Sequence, residues 1–239
     1  FALNSLIENA SKVTSTNKAF IYDGSGIYQE VEVEKTNYNE YPISYKLSKL
    51  QDLSKKVLDS DEKIVKVGHC QYGENKSITR IINSKGVNLN REFSYASTMI
   101  GALASNGKET SIGYERDIQF DITKFDYEKL AQNSVEEALS SLGAGSLATG
   151  QYSAVFRYDV MTSILKAFST VFSGQSAMKK LTLLTDKIDQ QVFGKNINIV
   201  DDPFTDHAIV KQPFDDEAVP CVTKNIVENG VFKGFMHDL

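Results

Sequence analysis

Tryptophan is absent from these 239 residues, and proline and cysteine are scarce, with four and two copies. Cys70 and Cys221 lie far apart and belong to no CxxC or other metal-ligand spacing. Because nothing in the sequence requires a disulfide, we expect two free thiols, as in a reducing compartment, and a Cys70–Cys221 disulfide is left open as the alternative.

Long apolar runs and clusters of basic residues are also missing. No apolar stretch approaches the length of a transmembrane helix, and no signal segment opens the chain. The formal net charge is −5 at pH 7, and the scattered lysines and arginines form no electrostatic footprint for nucleic acid. We therefore expect a cytoplasmic protein without a membrane or nucleic-acid partner.

Four segments carry apolar residues at helical spacing, which predicts amphipathic helices. On the second helix, Leu47, Leu50 and Val57 are predicted to share the inward face. Gly143 follows the third helix and suits the left-handed position after a helix end, whereas Asp159 is placed to cap the fourth. The predicted helices cover residues 2–12, 44–58, 126–142 and 159–173.

Between residues 63 and 122 the pattern changes to alternation, which is typical of half-buried antiparallel strands. Turn-forming sequences at Ser84-Lys85-Gly86 and Asn106-Gly107 divide this region into a meander. The longest alternation predicts a strand over 112–122 whose inward face is interrupted by Arg116 alone. The residues predicted to be buried on that face are Ile112, Tyr114, Ile118, Phe120 and Ile122. Two further strands are predicted over residues 29–35 and 151–157.

The last part of the chain combines acidic turns with a hairpin signal. Asn229-Gly230 separates two predicted strands, 222–227 and 231–235, and suits a type I′ turn because both central residues need positive φ. We interpret the preceding acidic residues as turn-forming, since Asp in turns commonly bonds to the local backbone. The motif residues are Asp201, Asp202, Asp215, Asp216, Glu217, Asn229 and Gly230.

The same acidic residues are candidates for a hard-metal or two-metal site, because carboxylates and imidazoles are suitable ligands. We favour the turn interpretation over this one. The candidate metal site would comprise Asp201, Asp202, Asp206, His207, Asp215, Asp216, Glu217 and His237.

Two other patterns suggest chemistry but have simpler explanations. The glycines at 143, 145 and 150 follow a helix and precede a strand, which is the reverse of the order in a dinucleotide loop, so we interpret them as a linker. His69 and Cys70 are adjacent, but in a strand their side chains point to opposite faces and cannot share a proton.

The stretch from Asn196 to Leu239, NINIVDDPFTDHAIVKQPFDDEAVPCVTKNIVENGVFKGFMHDL, resembles the C-terminal domain of the TldD/PmbA family, also known as modulator of DNA gyrase or peptidase U62. The resemblance extends upstream through Asn83-Ser84-Lys85-Gly86, Gly113-Tyr114 and Gly150-Gln151-Tyr152. Ala218 stands where the family pattern has Gly, which puts a left-handed backbone at that position in doubt.

The resemblance implies an α+β fold in three parts, in which an antiparallel sheet with packed helices precedes the start of a β-rich C-terminal domain. Residues 1–43 are expected to be the remainder of an N-terminal α/β domain, and residues 44–148 the central antiparallel sheet plus helix. Residues 149–239 are expected to be the first part of the C-terminal domain. The resemblance also implies further residues beyond both ends of the chain.

In the TldD branch of the family, the helix that matches 159–173 carries HExxxH, whose histidines bind zinc and whose glutamate acts on the bound water. This chain has Leu165 and Thr170 at the histidine positions and Lys166 at the glutamate position, so it resembles the PmbA branch, also called TldE. We therefore assign no catalytic, cofactor-binding or metal-binding residue, and the resemblance implies that zinc is held by a TldD-like partner.

The function that the resemblance implies is that of a non-catalytic subunit in a cytosolic peptidase complex, which degrades or matures unstructured peptides. Tyr95, Tyr114 and Phe120 are candidates for contact with the partner or the peptide, although packing on a pleated surface explains them better. Two alternatives stay open. One is a self-sufficient metal-dependent peptidase that uses the acidic clusters, and the other is a self-associating binding or scaffold protein, a homo-oligomer without catalysis.

Overall fold

Two three-stranded antiparallel sheets and five α-helices organise the part of the chain that the computed structural model describes, residues 2–13, 20–206 and 208–238. The predicted α+β class is confirmed. The helices are α1 (Ala2–Lys12), α2 (Ile43–Leu58), α3 (Tyr127–Ser140), α4 (Tyr158–Phe168) and α5 (Gly174–Met178). The strands are β1 (Ile64–Ile82), β2 (Asn88–Ser105), β3 (Thr110–Gln119), β4 (Ile199–Asp201), β5 (Lys224–Glu228) and β6 (Val231–Phe232). Short 3-10 helices cover Tyr38–Glu40, Ile122–Lys124 and Ser169–Phe172.

The first sheet is the predicted meander, in the order β1-β2-β3. The two turns fall at Gly86 and Gly107, whose φ values of +93° and +83° are the left-handed conformation that glycine adopts without steric cost. β2 pairs with β1 from Asn88 to Ala104, but with β3 only from Ala96 to Ser105. The first half of β2 therefore has no β3 neighbour.

Helices α2 and α3 pack on one face of this sheet and form the main core with it. The inward residue of α2 that the periodicity missed is Leu53, which is fully buried together with Val57, whereas the predicted Leu47 is exposed. The residues of this core are Leu53, Val57, Ile64, Ile100, Ala102, Ala104, Leu130, Ala131, Val135 and Ala138.

The predicted inward face of β3 is wrong. Gly113 faces α3 so closely that an added Cβ would lie 2.2 Å from the carbonyl oxygen of Ser134. Ile112 and Tyr114 consequently lie on the opposite face, where they are 39% and 48% exposed. The strand also ends at Gln119, before the predicted end, and Ile122 is buried in the following 3-10 helix. The helix backbone approaches the one position without a side chain, and the apolar alternation alone could not reveal this.

The second sheet, in the order β4-β5-β6, belongs to a smaller core around Phe172, Ile226, Val227 and Phe232. The hairpin predicted at Asn229-Gly230 is confirmed, with positive φ at both residues, +49° and +77°. Its arms, β5 and β6, are shorter than predicted.

Two predicted strands are not formed. Residues 29–35 have no regular secondary structure and make no backbone–backbone hydrogen bond to any described residue, so their alternation of valine and glutamate has no partner strand. Residues 151–157 are exposed along their whole length and pair with no strand in the described part of the chain.

The fourth helix differs from its prediction at both ends. It ends at Phe168 instead of continuing to 173, and the chain passes into a 3-10 helix. Its N-cap is Arg157, without a side-chain cap bond, so Asp159 lies inside the first turn and is not the cap. None of the described helices has the length and apolar character needed to cross a membrane.

Candidate functional site

Helix α4 and the 3-10 helix that follows it hold the positions that the resemblance matches to the zinc ligands of the TldD branch, and both lie largely open to solvent. None of the residues of α4 is buried, and Leu165 is 42% exposed. Lys166 is exposed on the same helix, and Thr170 is exposed in the 3-10 helix that follows. The three positions therefore project from adjoining helical turns that other described residues cover only partly.

These side chains do not fit a zinc ion. Zinc in proteins is bound by imidazole, thiolate or carboxylate, and a water that is to be activated needs a neighbouring carboxylate. Leu165 offers no donor atom, Lys166 is a cation that repels the metal, and Thr170 offers a neutral hydroxyl. The donor set on this helix consequently does not suit the zinc that the family resemblance associates with it.

Arg157 fixes the start of α4. Its Nε and Nη2 each donate a hydrogen bond of 2.6 Å to the carboxylate of Asp159, and Nη2 also donates to Glu137 of α3 at 2.7 Å. Glu137 in turn accepts a 2.8 Å hydrogen bond from the backbone N–H of Tyr114 in β3. A continuous polar chain thus connects the sheet, α3 and α4.

The charges of this cluster are mutually stabilising. The hydrogen bonds from Arg157 lower the pKa of Asp159 from 3.8 to about 2, because they favour the ionised carboxylate. The same contacts with Asp159 and then Glu137 raise the pKa of the Arg157 guanidinium. Both carboxylate oxygens of Asp159 are engaged with one guanidinium, the geometry that gives the strongest side-chain ion pairs.

A cleft of about 570 Å³ lies beside this cluster, between β3, α3 and the first turn of α4. Four carboxylates and two guanidiniums line it, and an aromatic face comes from each of Tyr114 and Tyr158. The arrangement can accept polar backbone groups and cationic side chains. The charged residues are Glu115, Glu136, Glu137, Asp159, Arg116 and Arg157.

The aspartates of the C-terminal motif bond to the backbone near them. Asp215 Oδ1 accepts hydrogen bonds of 2.9 Å from the N–H groups of Glu217 and Val219, which closes the turn. Asp202 Oδ1 accepts from the N–H of Phe204 and from the hydroxyl of Thr223, both at 3.0 Å. These are the contacts of Asx turns.

The remaining acidic residues and histidines do not join them in one site. Asp201 forms a 3.6 Å ion pair with Lys224, and Asp206 a 3.3 Å ion pair with Lys211. The ring of His237 lies against Gly174, and His207 is outside the described residues. Nowhere in residues 2–13, 20–206 and 208–238 do three His, Cys, Asp or Glu side chains come close enough to hold a metal ion.

Ala218 has a left-handed backbone, with φ of +70°, contrary to the doubt that its side chain raised. Its N–H donates to the carbonyl of Asp215 at 3.2 Å, and its own carbonyl accepts a 2.9 Å hydrogen bond from the hydroxyl of Tyr28. The turn therefore holds an alanine in a conformation that costs an L-residue about 1 kcal/mol.

Neither cysteine has the surroundings of a nucleophile. Both thiols are free, and burial raises the pKa of Cys70 and of Cys221, so less thiolate is present at neutral pH. Cys70 packs against the main core and its thiol points to the carbonyl of Leu50, whereas His69 bonds to Gln71. The two neighbours in β1 thus have separate partners.

The sheet aromatics differ in their surroundings. Tyr95 stacks on Phe93 with ring centroids 6.4 Å apart, and Phe120 is half-buried. Tyr114 lies against Gly101, where an added Cβ would meet its ring at 2.7 Å, and it faces the solvent. Tyr114 is the member of this predicted set that combines exposure with a place at the cleft.

Sequence reasoning missed the residues that connect the C-terminal motif to the first sheet. Arg91 of β2 donates from Nη1 to the carbonyl of Phe214 at 3.0 Å, and its guanidinium lies 5.4 Å from the centroid of the Phe214 ring. Tyr28 adds the hydrogen bond to Ala218 described above. The Arg91–Phe214 and Tyr28–Ala218 contacts join residues 123 and 190 positions apart, and no local sequence pattern predicts them.

Comparison with known proteins gives two family-model matches. The PmbA/TldA metallopeptidase central domain matches residues 37–142, and the PmbA/TldA metallopeptidase C-terminal domain matches residues 149–239. A metalloprotease PmbA homolog of Haemophilus influenzae is 26% identical over 188 residues, which are 75% of this chain and 40% of that protein. An uncharacterized protein of Methanocaldococcus jannaschii is 30% identical over 163 residues, which are 67% of this chain and 37% of that protein.

Solved structures share the fold. A Thermotoga maritima protein described as a modulator of DNA gyrase superposes with a TM-score of 0.87 at 23% identity, over 99% of this chain and 55% of that one. TldE from Thermococcus kodakarensis superposes with a TM-score of 0.79 at 21% identity and the same coverage.

The fold is therefore that of the modulator-of-DNA-gyrase proteins, and the two domain matches are to a metallopeptidase family. The chain belongs to the PmbA/TldD family, as its motifs predicted. It spans 40% of the length of the Haemophilus relative and 37% of that of the Methanocaldococcus relative.

Proposed function

We propose that this chain is a non-catalytic subunit of the PmbA/TldE type in a cytosolic TldD/TldE-like metallopeptidase complex. The complex degrades or matures unstructured peptides, and its zinc is held by the TldD-like partner. The chain itself contributes the walls that enclose and guide the peptide, without a metal ligand, a cofactor or a catalytic residue. Neither nucleic acid nor a membrane is among its partners.

The observation that carries this proposal is the donor set of α4. An aliphatic side chain, an ammonium group and a hydroxyl occupy the positions that the TldD branch fills with two imidazoles and a carboxylate. A helix of this composition neither binds zinc nor removes a proton from water at neutral pH. In this proposal the zinc and the water-activating carboxylate come from the second polypeptide of the complex.

The exposed face of the first sheet supports a role in binding a partner subunit or a peptide. Ile112 and Tyr114 are directed away from α2 and α3, and Tyr114 also borders the acidic cleft at α4. An aromatic ring beside polar groups suits a surface that meets a partner or an extended peptide.

Copurification and peptide cleavage together test the proposal. Affinity purification of the full-length protein from its native host is expected to bring down a polypeptide with HExxxH. The reconstituted pair is expected to cleave an unfolded peptide in a chelator-sensitive manner, whereas this protein alone is inactive. Substituting the glutamate of the partner's motif should abolish cleavage, while Lys166→Ala in this protein should leave the rate within about twofold, since no transition-state contact is lost.

Two results contradict the proposal. Chelator-sensitive cleavage by this protein alone would show a metal site of its own. Recovery of self-complexes only, with no second polypeptide, would instead indicate the homo-oligomeric scaffold.

A further inference from the structure

A cavity of about 250 Å³ lies beside the start of β2 and shares no lining residue with the cleft at α4. It is a half-open recess lined by residues 28–33, by the start of β2 and by the loop 211–214. Much of its wall is apolar, and two cations, Arg91 and Lys211, open onto it beside Val31, Leu89, Pro213 and Phe214. An apolar recess with a few convergent polar groups is the usual form of a small binding site.

The guanidinium of Arg91 is largely buried and incompletely bonded. Its side chain is 12% exposed, and Nη1 is bonded to the carbonyl of Phe214. Nη2 lies 3.9 Å from Asp216, too far for a hydrogen bond, and Nε is buried without a partner among the described residues. Because a guanidinium has five N–H donors, Arg91 retains capacity for an oxygen acceptor in the cavity.

The anions that now face the two cations are weakly held. Asp216, which faces Arg91, is 95% exposed, and Asp206, which faces Lys211 at 3.3 Å, is 96% exposed. Exposed ion pairs of this kind contribute only about 0–1 kcal/mol, so a carboxylate that enters the cavity can replace them. Glu92 also lines the cavity, but Lys76 pairs with it at 2.8 Å.

Unpaired backbone surrounds the same cavity. The half of β2 from Asn88 to Tyr95 has no β3 neighbour, and residues 29–35, part of which line the same cavity, make no backbone–backbone hydrogen bond to any described residue. Extended peptides commonly bind to such edges by hydrogen bonds between main chains. The neighbourhood thus suits a ligand that is itself an extended peptide.

We propose that this cavity binds the C-terminal residue of an extended peptide. The terminal carboxylate accepts hydrogen bonds from Nη2 of Arg91 and Nζ of Lys211, and an apolar side chain occupies the space among Val31, Leu89 and Phe214. This binding site is separate from the proposed pairing with a zinc peptidase, and peptide binding to it requires no second subunit.

Binding of matched peptides to the full-length protein alone tests this site. Three fluorescent peptides are compared by anisotropy: one that ends in leucine with a free carboxylate, its C-terminal amide, and an amide with glutamate in place of the last leucine. Charge-assisted hydrogen bonds predict that the free acid binds about tenfold more tightly than the leucine amide. Tight binding of the glutamate amide would instead assign the site to side-chain carboxylates and overturn the proposal.

Three variants that keep Arg91 unchanged sharpen the test. Lys211→Gln is expected to remove most of the preference for the free acid, whereas Lys66→Gln, an exposed lysine of β1, leaves it unchanged. Asp216→Asn removes the competing carboxylate and is expected to tighten binding by about threefold, in line with an exposed ion pair. Equal affinity for acid and amide, no binding of either, or a Lys211→Gln variant that behaves like the wild type overturns the proposal. The pairing with a TldD-like partner would be unaffected by that failure.

Discussion

Arg157 is the residue on which the geometry at the start of α4 depends. Its guanidinium holds both oxygens of Asp159 at 2.6 Å and reaches Glu137 at 2.7 Å, which ties α4 to α3. The sequence predicted Asp159 as a helix cap, because Asp near a helix start is a common cap. The position was correct to within two residues, but the preference could not reveal that an arginine takes both carboxylate oxygens.

Replacing this arginine is expected to change the acidity of Asp159. In Arg157→Gln the pKa of Asp159 should rise from about 2 toward 3.8, because its largest lowering cause is the hydrogen bonding from Arg157. A carboxyl group whose pKa is depressed in the folded state stabilises that state above its unfolded pKa, and the contribution is lost as the pH falls through the folded value. In the wild type this loss is expected between pH 3.8 and about 2.

Carboxyl-carbon NMR titration of Asp159 measures this change directly. Arg116→Gln serves as the matched control, because Arg116 lines the same cleft, whereas both oxygens of Asp159 are bonded to Arg157. An Asp159 that still titrates near 2 in the Arg157→Gln protein would show that another group lowers its pKa.

At the scale of elements, α2 and α4 carry the same sequence signal but have different surroundings. Apolar residues at helical spacing predicted both, since such a pattern is sufficient for an amphipathic helix. The face of α2 is buried at Leu53, whereas the face of α4 is exposed at Leu165. Periodicity reveals that a face exists, but it does not reveal what covers that face.

The wrong prediction of the inward face of β3 has the same cause, because alternation does not reveal which face another element covers. Alternation predicted the strand within three residues at each end, because the period of two follows from backbone geometry. The choice between its two faces depended on α3, whose backbone comes against Gly113. A contact between residues 21 positions apart in sequence leaves no periodic trace in either element. The strands predicted over 29–35 and 151–157 failed for a related reason, since alternation without a neighbouring strand does not make a ladder.

Because α2 is buried and α4 is exposed, we expect a leucine-to-alanine substitution to affect stability differently in the two helices. Leu53→Ala is expected to lower the free energy of unfolding by about 2–5 kcal/mol, because it leaves a cavity in the main core. Leu165→Ala is expected to lower it by less than about 1 kcal/mol, because part of the side chain is already in water. Urea unfolding of both variants, with unchanged slopes, gives the comparison. Similar losses at the two positions would mean that α4 is buried against something the described residues do not include.

At the scale of the whole molecule, the C-terminal motif is held against the first sheet by distant residues. The hairpin and the turn aspartates could be predicted, because their geometry follows from neighbours in sequence. Tyr28 and Arg91 could not, since their bonds to Ala218 and Phe214 cross 190 and 123 residues of chain. The family pattern marked the motif but did not indicate its contacts.

Removing one hydroxyl tests how far this anchoring stabilises the molecule. Tyr28→Phe leaves the partly buried carbonyl of Ala218 without its 2.9 Å hydrogen bond, which is expected to lower the free energy of unfolding by about 1–2 kcal/mol. Tyr152→Phe is the matched control, because that hydroxyl bonds at 2.7 Å to the carbonyl of Ala148 in an exposed loop. Its effect should stay within about 0.5 kcal/mol.

Hydrogen exchange locates the effect within the molecule. In Tyr28→Phe, the amides of Val219 and Cys221 should exchange faster, because both donate within the turn that Tyr28 holds. Amides in the β2–β3 ladder should keep their rates, since the main core with α2 and α3 is untouched. Equal effects of the two substitutions on stability, or faster exchange throughout the first sheet, would show that Tyr28 does not act through this turn. The attachment of the C-terminal motif to the first sheet would then depend on Arg91 and its contacts with Phe214.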